Sequence, residues 1–417
     1  MASKETEEND KILCYGFNQD YTCFFVGSKK GFRVYNSDTF YLRLERKIGP
    51  VCVMDLLYRS NIIFYVLDNS DISRRHLHIW DDSVAKDVAV LTFASPILHI
   101  KSLKSLVLIV LEKRMFVYDL VTVKPISALD LPSTPHFIQL IAVTSRKMVK
   151  LSDSNKEKVD TPKFDVIKTD KVEVTKPDNQ KDEKVQQNQE PTEDLVVSPG
   201  TETGQVRLHF FKLSQKNTPN IQEELHVTKT SNIIAHNNPL MALTLSVDGN
   251  LVATTSEKGT VVRVYNTNSN DLQYVFRRGS DPAKILTLQF TLTFNKKSGL
   301  PYLFVGSEKG TLHLYHLTDE VKEKTRKESS NLSISSWFYP KSNQRFEAPM
   351  FEDSTLEFLC AFPSTKRFYC VTDKKLPDPT SLGKLGMAIP VNKAHKITYS
   401  AFLLETKLHL EQLHDIG

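Results

Sequence analysis

The sequence predicts an all-β protein that folds as a β-propeller with WD-like repeats. Three segments, 27–35, 256–265 and 307–315, share a Lys-Gly turn between an apolar run and a run rich in aliphatic and aromatic residues. Helical periodicity is almost absent from the chain. In a propeller each blade buries its faces only against its neighbours, so a chain of 417 residues can form a single domain.

Each of the three segments is predicted to form two strands joined by a tight hairpin. The turn glycines Gly31, Gly259 and Gly310 provide the left-handed backbone conformation that a short hairpin requires. Val, Leu and aromatic residues on both sides of the turns favour strands. The last two copies begin about fifty residues apart, which suits one four-stranded blade with a long loop. Weaker copies of the pattern occupy 74–81, 111–120 and 204–213.

Two segments interrupt the repeats. The segment 149–193 is dense in Lys, Asp, Glu, Gln and Asn and has almost no aromatic residues, so it is predicted to be a disordered insertion within a blade. Loops accept such insertions at little cost, and no function is assigned to it. The segment 318–344 begins with charged residues and is predicted to be an extended loop. The remainder of 8–417 is predicted to be one propeller.

The composition limits the functions open to the chain. A net charge of +5 permits an anionic partner but lacks the strong basic bias of nucleic-acid-binding proteins. The five cysteines are scattered without a CxxC pair, which argues against a disulfide framework and a zinc site. The polar N-terminus does not resemble a signal or transit peptide, and the apolar runs are too short to span a bilayer. We expect a soluble protein of a reducing compartment whose membrane contacts are peripheral.

The sequence gives no indication of catalysis. It has no P-loop, no Gly-x-Ser-x-Gly elbow and no His-Glu-x-x-His motif. Glu257 and Glu308 lie in hairpin turns and are expected to face solvent. We therefore expect no enzyme activity, no cofactor and no metal site.

The segment most suited to binding chemistry is Phe276-Arg277-Arg278-Gly279, between the two best turn copies. Adjacent residues of a strand point to opposite faces, so Arg277 and Arg278 are predicted to serve two different pockets. Arginine presents a planar fork of donors that suits phosphate oxygens. This geometry predicts two phosphate sites side by side on the rim. The alternative is that both arginines are solvated charges at a strand end.

Each flanking turn offers a hydroxyl and a basic group to one of these pockets. Thr311 and His313 are two residues apart and therefore share a face of a strand. Thr260 and Arg263 are three residues apart, and a β-bulge is predicted to bring them to the same side. His236 precedes a predicted strand, where a structural role is the alternative to ligand binding.

The combined pattern resembles the PROPPIN (WIPI-like) family of phosphoinositide-binding WD-repeat β-propellers. The Phe-Arg-Arg-Gly segment between two Ser-Glu-Lys-Gly-Thr turns is the most specific marker. The resemblance implies a seven-bladed propeller, with the insertion in the fourth blade and the 318–344 loop in the sixth. The stretch 371–390 and the turn 68–75 fit the family less well. Segments that resemble the first five blades in turn are 17–31, 79–82, 110–118, 199–206 and 235–264.

The resemblance implies two sites for phosphatidylinositol 3-phosphate and phosphatidylinositol 3,5-bisphosphate. Site one would comprise His236, Ser256, Thr260, Arg263 and Arg277. Site two would comprise Arg278, Ser307, Thr311 and His313. Thr254 and Lys258 are further candidates for site one that are left outside the set.

The family also inserts a loop of its sixth blade into the membrane. In this chain the candidates are Trp337, Phe338 and Tyr339, an apolar cluster in an otherwise polar loop. Trp and Tyr favour the bilayer interface. The alternative is that these aromatic side chains cover a side face of the propeller.

The resemblance implies a non-catalytic scaffold that acts in autophagy or endosomal traffic. Such a protein is cytoplasmic and is recruited peripherally to preautophagosomal, endosomal or vacuolar membranes. Its implied partners are phosphoinositide-containing membranes and autophagy proteins such as a lipid-transfer partner, and no nucleic acid. Two alternatives remain: a WD-repeat propeller that binds only proteins, and an enzyme that uses the central channel, which the missing catalytic motifs oppose.

Overall fold

The chain forms seven antiparallel sheets arranged as the blades of a β-propeller. The computed structural model describes residues 11–39, 41–132, 140–147, 192–213, 225–329, 342, 344–347, 358–364, 367–372 and 398–403. Within these residues six sheets have four strands and the last has three, and the strands of every sheet follow one another in chain order. This up-and-down order confirms the seven-bladed, all-β prediction.

The first three blades contain strands β1 to β12. Blade 1 consists of β1 (Ile12–Phe17), β2 (Cys23–Ser28), β3 (Phe32–Asn36) and β4 (Leu42–Arg46). Blade 2 consists of β5 (Val51–Leu56), β6 (Ile62–Leu67), β7 (His76–Asp81) and β8 (Lys86–Thr92). Blade 3 consists of β9 (His99–Ser102), β10 (Leu106–Val110), β11 (Arg114–Asp119) and β12 (Lys124–Asp130).

The last four blades contain strands β13 to β27. Blade 4 consists of β13 (Ala142–Lys147), β14 (Thr192–Pro199), β15 (Gln205–Leu213) and β16 (Leu225–Ile234). Blade 5 consists of β17 (Leu240–Leu245), β18 (Leu251–Ser256), β19 (Val261–Asn266) and β20 (Leu272–Arg277). Blade 6 consists of β21 (Ile285–Phe294), β22 (Pro301–Ser307), β23 (Thr311–His316) and β24 (Gln344–Glu347). Blade 7 consists of β25 (Phe358–Ser364), β26 (Arg367–Thr372) and β27 (Thr398–Leu403).

The sequence repeats mark one position in the blades. The three strong copies form the hairpins β2–β3, β18–β19 and β22–β23, and the weaker copies cover β7, β11 and β15. Every copy therefore includes the third strand of its blade. The repeats predict the fold because a hairpin depends only on residues that are close in sequence.

The hydrophobic core lies between the blades. Five clusters of buried residues are each shared by two neighbouring sheets, from the first pair to the pair formed by blades 5 and 6. Between blades 5 and 6, for example, Val264 and Phe276 pack with Leu303 and Tyr315. A blade exposes two faces, and this stacking buries both of them.

The first strands of the blades surround the centre of the propeller. Strand β1 contacts β5, β5 contacts β9, β17 contacts β21, and β21 contacts β25. The amide of Gln289 in β21 donates a hydrogen bond to the Tyr21 hydroxyl beside blade 1. Two residues that are 268 positions apart in the sequence therefore meet at the centre of the propeller.

The predicted extended loop 318–344 begins instead with a helix, α1 (Asp319–Ser329). Thr318 caps it, because its Oγ1 accepts a hydrogen bond from the Val321 amide at 3.4 Å. Acidic residues in the first turn and basic residues in the last turn suit the helix dipole. Among helix residues 319–327, whose burial is described, only Val321 and Thr325 face the core, so the apolar stripe is too narrow to stand out as helical periodicity.

Helix α1 covers the outer edge strand of blade 5. Val321 packs against the core between blades 5 and 6. The buried Thr325 hydroxyl accepts a hydrogen bond from the Val275 amide of β20 at 3.2 Å. An edge amide that would otherwise lack a strand partner is thereby satisfied. Part of the sixth-blade loop is thus fixed to the strand that ends in Arg277.

The insertion predicted over 149–193 falls in the sequence between β13 and β14 of the fourth sheet. Thr192 and Glu193 already belong to β14, and 148–191 lies outside the described residues. None of the helices within the described part of the chain has the length and apolar character needed to cross a membrane.

Candidate functional site

Two hairpin turns on neighbouring blades form the framework of the candidate sites. The turn between β18 and β19 begins at Ser256, and the turn between β22 and β23 begins at Ser307. The Gly259 amide donates to the Ser256 carbonyl at 2.8 Å, and the Gly310 amide to the Ser307 carbonyl at 3.1 Å. Both glycines adopt positive φ, +59° and +65°, as the sequence analysis predicted.

The predicted β-bulge beside Thr260 is wrong. Strands β18 and β19 pair without a register shift from Leu251–Asn266 to Thr255–Val262. The extra residue of this copy lengthens the turn instead, because the blade 6 hairpin pairs Ser307 directly with Thr311. Thr260 lies in the turn, before the start of β19, and still faces the same cavity as Arg263.

Four of the five residues predicted for site one line a single cavity. They are His236, Ser256, Thr260 and Arg263, and the cavity is completed by Asn237, Asn238, Lys258 and Val261. Arg277 is not among these lining residues, although its backbone pairs with Val261 in the cavity wall. Lys258 was not among the residues predicted for site one. Asn237 and Asn238 were not predicted either, because they belong to none of the sequence repeats.

His236 is held in one neutral tautomer by its neighbours. Nη1 of Arg263 donates to Nδ1 of His236 at 2.7 Å, so Nδ1 is an acceptor. Nε2–H therefore donates to Oγ1 of Thr254 at 3.0 Å, and Thr254 donates in turn to the Arg263 carbonyl at 3.3 Å. Thr254 and Arg263 are direct cross-strand partners, which explains how a buried threonine on β18 supports this ring.

Burial, together with the positive charge of Arg263, lowers the pKa of His236 to about 3. The unfolded chain binds this proton near pH 6.5, so acidification from pH 6.5 toward 3 favours unfolding. We expect the His236 ring to remain neutral at pH 5, measured from its ¹⁵N chemical shifts. We also expect His236→Gln to lose less stability than the wild type between pH 6.5 and 4. A His236 titration midpoint near 6.5 would contradict the geometry.

Arg277 and Arg278 both lie at the junction of blades 5 and 6 and are largely buried, with 4% and 9% of their surface exposed. Arg277 ends β20, its Nε donates to the Gly279 carbonyl at 3.4 Å, and its own carbonyl accepts from the Tyr315 hydroxyl. Arg278 donates through its amide to the Thr260 carbonyl at 2.9 Å and through Nε to the Gly259 carbonyl at 2.5 Å. Burial reduces the screening of both charges by water.

The structure brings all four residues predicted for site two together. Nη1 of Arg278 reaches across to blade 6 and donates to Ser307 Oγ at 3.4 Å. Ser307 Oγ lies 3.2 Å from Thr311 Oγ1, which lies 3.1 Å from Nε2 of His313. Thr311 and His313 share a face of β23, as their spacing predicted. The arrangement can offer one guanidinium and one hydroxyl donor to an anion.

Blade 1 carries the related repeat, but Gly31 has φ of +153° rather than the predicted left-handed value, and carboxylates neutralise the arginines of this blade. Arg46 ends β4 opposite Phe32, as Arg277 ends β20 opposite Val261. Arg46 forms a two-pronged ion pair with Asp82, at 2.9 and 3.0 Å. Arg33 pairs with Glu45 at 2.8 Å. An anion at this position would have to displace fixed carboxylates, so the repeat in blade 1 is a poor phosphate site.

The predicted membrane-contacting residues Trp337, Phe338 and Tyr339 lie outside the described residues. The ends of their segment are described. Helix α1 precedes it on the edge of blade 5, and Ser342 follows it beside His313. The two described ends of this segment therefore both lie near the junction of blades 5 and 6.

Comparisons with known proteins confirm the resemblance found in the sequence. The family model described as PROPPIN matches residues 222–341, which include both turns and both arginines. Autophagy-related protein 18 of Aspergillus terreus is 28% identical over 317 residues, 76% of this chain and 65% of that protein. Its counterpart in Debaryomyces hansenii is 29% identical, over 80% of this chain and 56% of that protein. The chain thus matches less than two thirds of the length of these relatives.

Solved structures share the fold. Hsv2 of Kluyveromyces lactis superimposes with a TM-score of 0.60 at 18% identity, over 94% of this chain and 98% of that chain. KlAtg21, solved in complex with the coiled coil of AgAtg16, superimposes with a TM-score of 0.51 at 19% identity, over 88% of this chain and 95% of that chain. At identities of 18% and 19%, these matches show the fold alone.

Proposed function

We propose that this chain, as a member of the PROPPIN family, binds phosphoinositide head groups on membranes and acts as a non-catalytic scaffold. One observation carries the proposal. Two adjacent buried arginines lie between two hairpins, and hydroxyl groups and a histidine lie beside each hairpin turn. Guanidinium and hydroxyl donors without added negative charge suit phosphate monoesters. We take phosphatidylinositol 3-phosphate and phosphatidylinositol 3,5-bisphosphate as the lipids, by resemblance to the family.

The proposed pathway is autophagy or endosomal traffic. The names of the relatives support it, since both are autophagy-related proteins. On this proposal the chain is cytoplasmic and is recruited peripherally to preautophagosomal, endosomal or vacuolar membranes. Its protein partners would be autophagy proteins such as a lipid-transfer protein.

Vesicle flotation tests the proposal. The wild-type chain should float with liposomes that contain phosphatidylinositol 3-phosphate and remain at the bottom with liposomes of unphosphorylated phosphatidylinositol. A propeller that binds only proteins is the second candidate, and the KlAtg21 complex with a coiled coil favours it. That candidate predicts no flotation on either liposome.

We further propose that the aromatic cluster Trp337, Phe338 and Tyr339 adds apolar contact with the bilayer. Burial of apolar area contributes about 25 cal/mol per Å², and peripheral proteins need such a second signal besides head-group binding. Replacing Trp337 and Phe338 with Ser should reduce flotation while leaving affinity for a soluble inositol head group unchanged. Helix α1 supplies a matched control in Lys324→Ser with Lys327→Ser, which removes charge but no apolar area. Parallel loss of both affinities would assign the aromatics to the fold instead.

A further inference from the structure

Ser342 contacts site two from outside both turns. Its Oγ lies 3.0 Å from Nδ1 of His313, across 29 residues of sequence. Ser342 belongs to no repeat and to neither set of predicted site residues. The same histidine uses its other ring nitrogen toward Thr311 Oγ1 at 3.1 Å. Both ring nitrogens of His313 therefore face a hydroxyl group.

His236 in site one shows how two such contacts fix the tautomer of a histidine ring. There Nδ1 of His236 accepts a hydrogen bond from Arg263, and Nε2–H points to the hydroxyl of Thr254. In blade 6 the third strand has His313 in the register position that Arg263 occupies in blade 5, opposite Val305 rather than a threonine. Arginine can only donate, so it fixes the tautomer of His236. At His313 the group described beside Nδ1 is the Ser342 hydroxyl, which can either donate or accept.

The direction of the hydrogen bonds decides what site two can offer an anion. If Ser342 donates to Nδ1, then Nε2–H donates to Thr311 and Thr311 donates to Ser307. Ser307 then accepts from Thr311 and from Arg278, and its own proton is available for a further acceptor. If the bonds run the other way, the Ser307 proton is used by Thr311. Only the first direction presents a hydroxyl donor beside Arg278 to a phosphate oxygen.

We propose that Ser342 is a positioning residue of site two, whose hydroxyl donates to His313 Nδ1 and thereby leaves the Ser307 hydroxyl proton to donate to a phosphate oxygen. The proposal rests on the proposed function, because it assigns a role within a site for a phosphorylated head group. It also assigns a part in head-group binding at blade 6 to a residue that lies just before β24.

The test uses the full chain and soluble inositol 1,3-bisphosphate in isothermal titration. In an Arg277→Thr background, which leaves site two, Ser342→Ala should weaken the Kd about three- to tenfold, as expected for one lost neutral hydrogen bond. In an Arg278→Thr background, which leaves site one, it should change nothing. Ser269→Ala, in an exposed turn of blade 5, is the matched control.

A second pair of variants separates positioning from folding. Ser342→Thr keeps the hydroxyl and should restore the wild-type Kd, whereas Ser342→Val, which has the shape of threonine without its hydroxyl, should not. The ¹⁵N shifts of His313 should report the Nε2–H tautomer in the wild type and a mixture in the Val variant. Unchanged site-two Kd and tautomer in folded Ala and Val variants would overturn the inference alone. A wild-type chain that gives no binding heat would overturn the proposed function, and this inference with it.

Discussion

Replacing both Arg277 and Arg278 with Thr is expected to abolish flotation on liposomes containing 3-phosphorylated phosphoinositides while the propeller remains folded. Each arginine supplies charge-assisted hydrogen bonds worth about 1.5–3 kcal/mol to a phosphate. Two weak sites on one surface bind a membrane by avidity, so each single variant should already lose much of its flotation. Circular dichroism and the thermal midpoint check that the double variant is folded.

The matched control for this experiment lies in blade 1. Arg46→Thr with Lys47→Thr removes the same charge from the corresponding strand end, but there Arg46 is paired with Asp82. We expect flotation of this control to stay near the wild-type level. If both double variants lose flotation equally, binding depends on net charge rather than on two built sites.

Gly259→Ala is expected to cost more stability than the corresponding variants of Gly299 and Gly279. Gly259 has φ of +59°, and a Cβ there would lie 1.9 Å from the Ala283 carbonyl oxygen. A non-glycine residue in the left-handed region costs about 1–3 kcal/mol, and the backbone collision adds to it. Because the Gly259 carbonyl also accepts a hydrogen bond from Arg278, site-two affinity should fall together with the thermal midpoint.

Two other glycines separate the cost of backbone strain from the cost of the collision with Ala283. Gly299 has φ of +64°, but a Cβ added there would meet no atom within 4 Å, so Gly299→Ala should show backbone strain alone. Gly279, next to the arginine pair, also has open space and no positive φ, so Gly279→Ala should be nearly neutral. Thermal unfolding should therefore rank the three as Gly259, Gly299 and Gly279 in decreasing loss. A different order would show that the turn relaxes around the added methyl group.

The hairpins of the propeller were predictable because their signals are local. A turn glycine and two apolar runs specify β2–β3, β18–β19 and β22–β23 from short stretches of sequence. Helix α1 was missed because its contact with the core depends on two residues, Val321 and Thr325, in an otherwise charged segment. Its partner strand β20 lies fifty residues away from Thr325, and sequence periodicity cannot show that contact.

The candidate site was predictable where its residues follow from local strand and turn geometry. Adjacent arginines on a strand and hydroxyls in repeated turns follow from strand geometry, and the structure brings Arg278 to Ser307 accordingly. The bulge at Thr260 was wrong because a spacing of three fits both a bulge and a longer turn. Thr254 and Ser342 needed the folded chain, since their roles come from the ring nitrogens of His236 and His313.

Isothermal titration with soluble inositol 1,3-bisphosphate tests the central claim most directly, because it removes the membrane and counts sites. We expect two sites per chain for the wild type, one site for Arg277→Thr or Arg278→Thr, and none for the double variant. A single site in the wild type, or a stoichiometry that neither arginine changes, would contradict the claim of two sites.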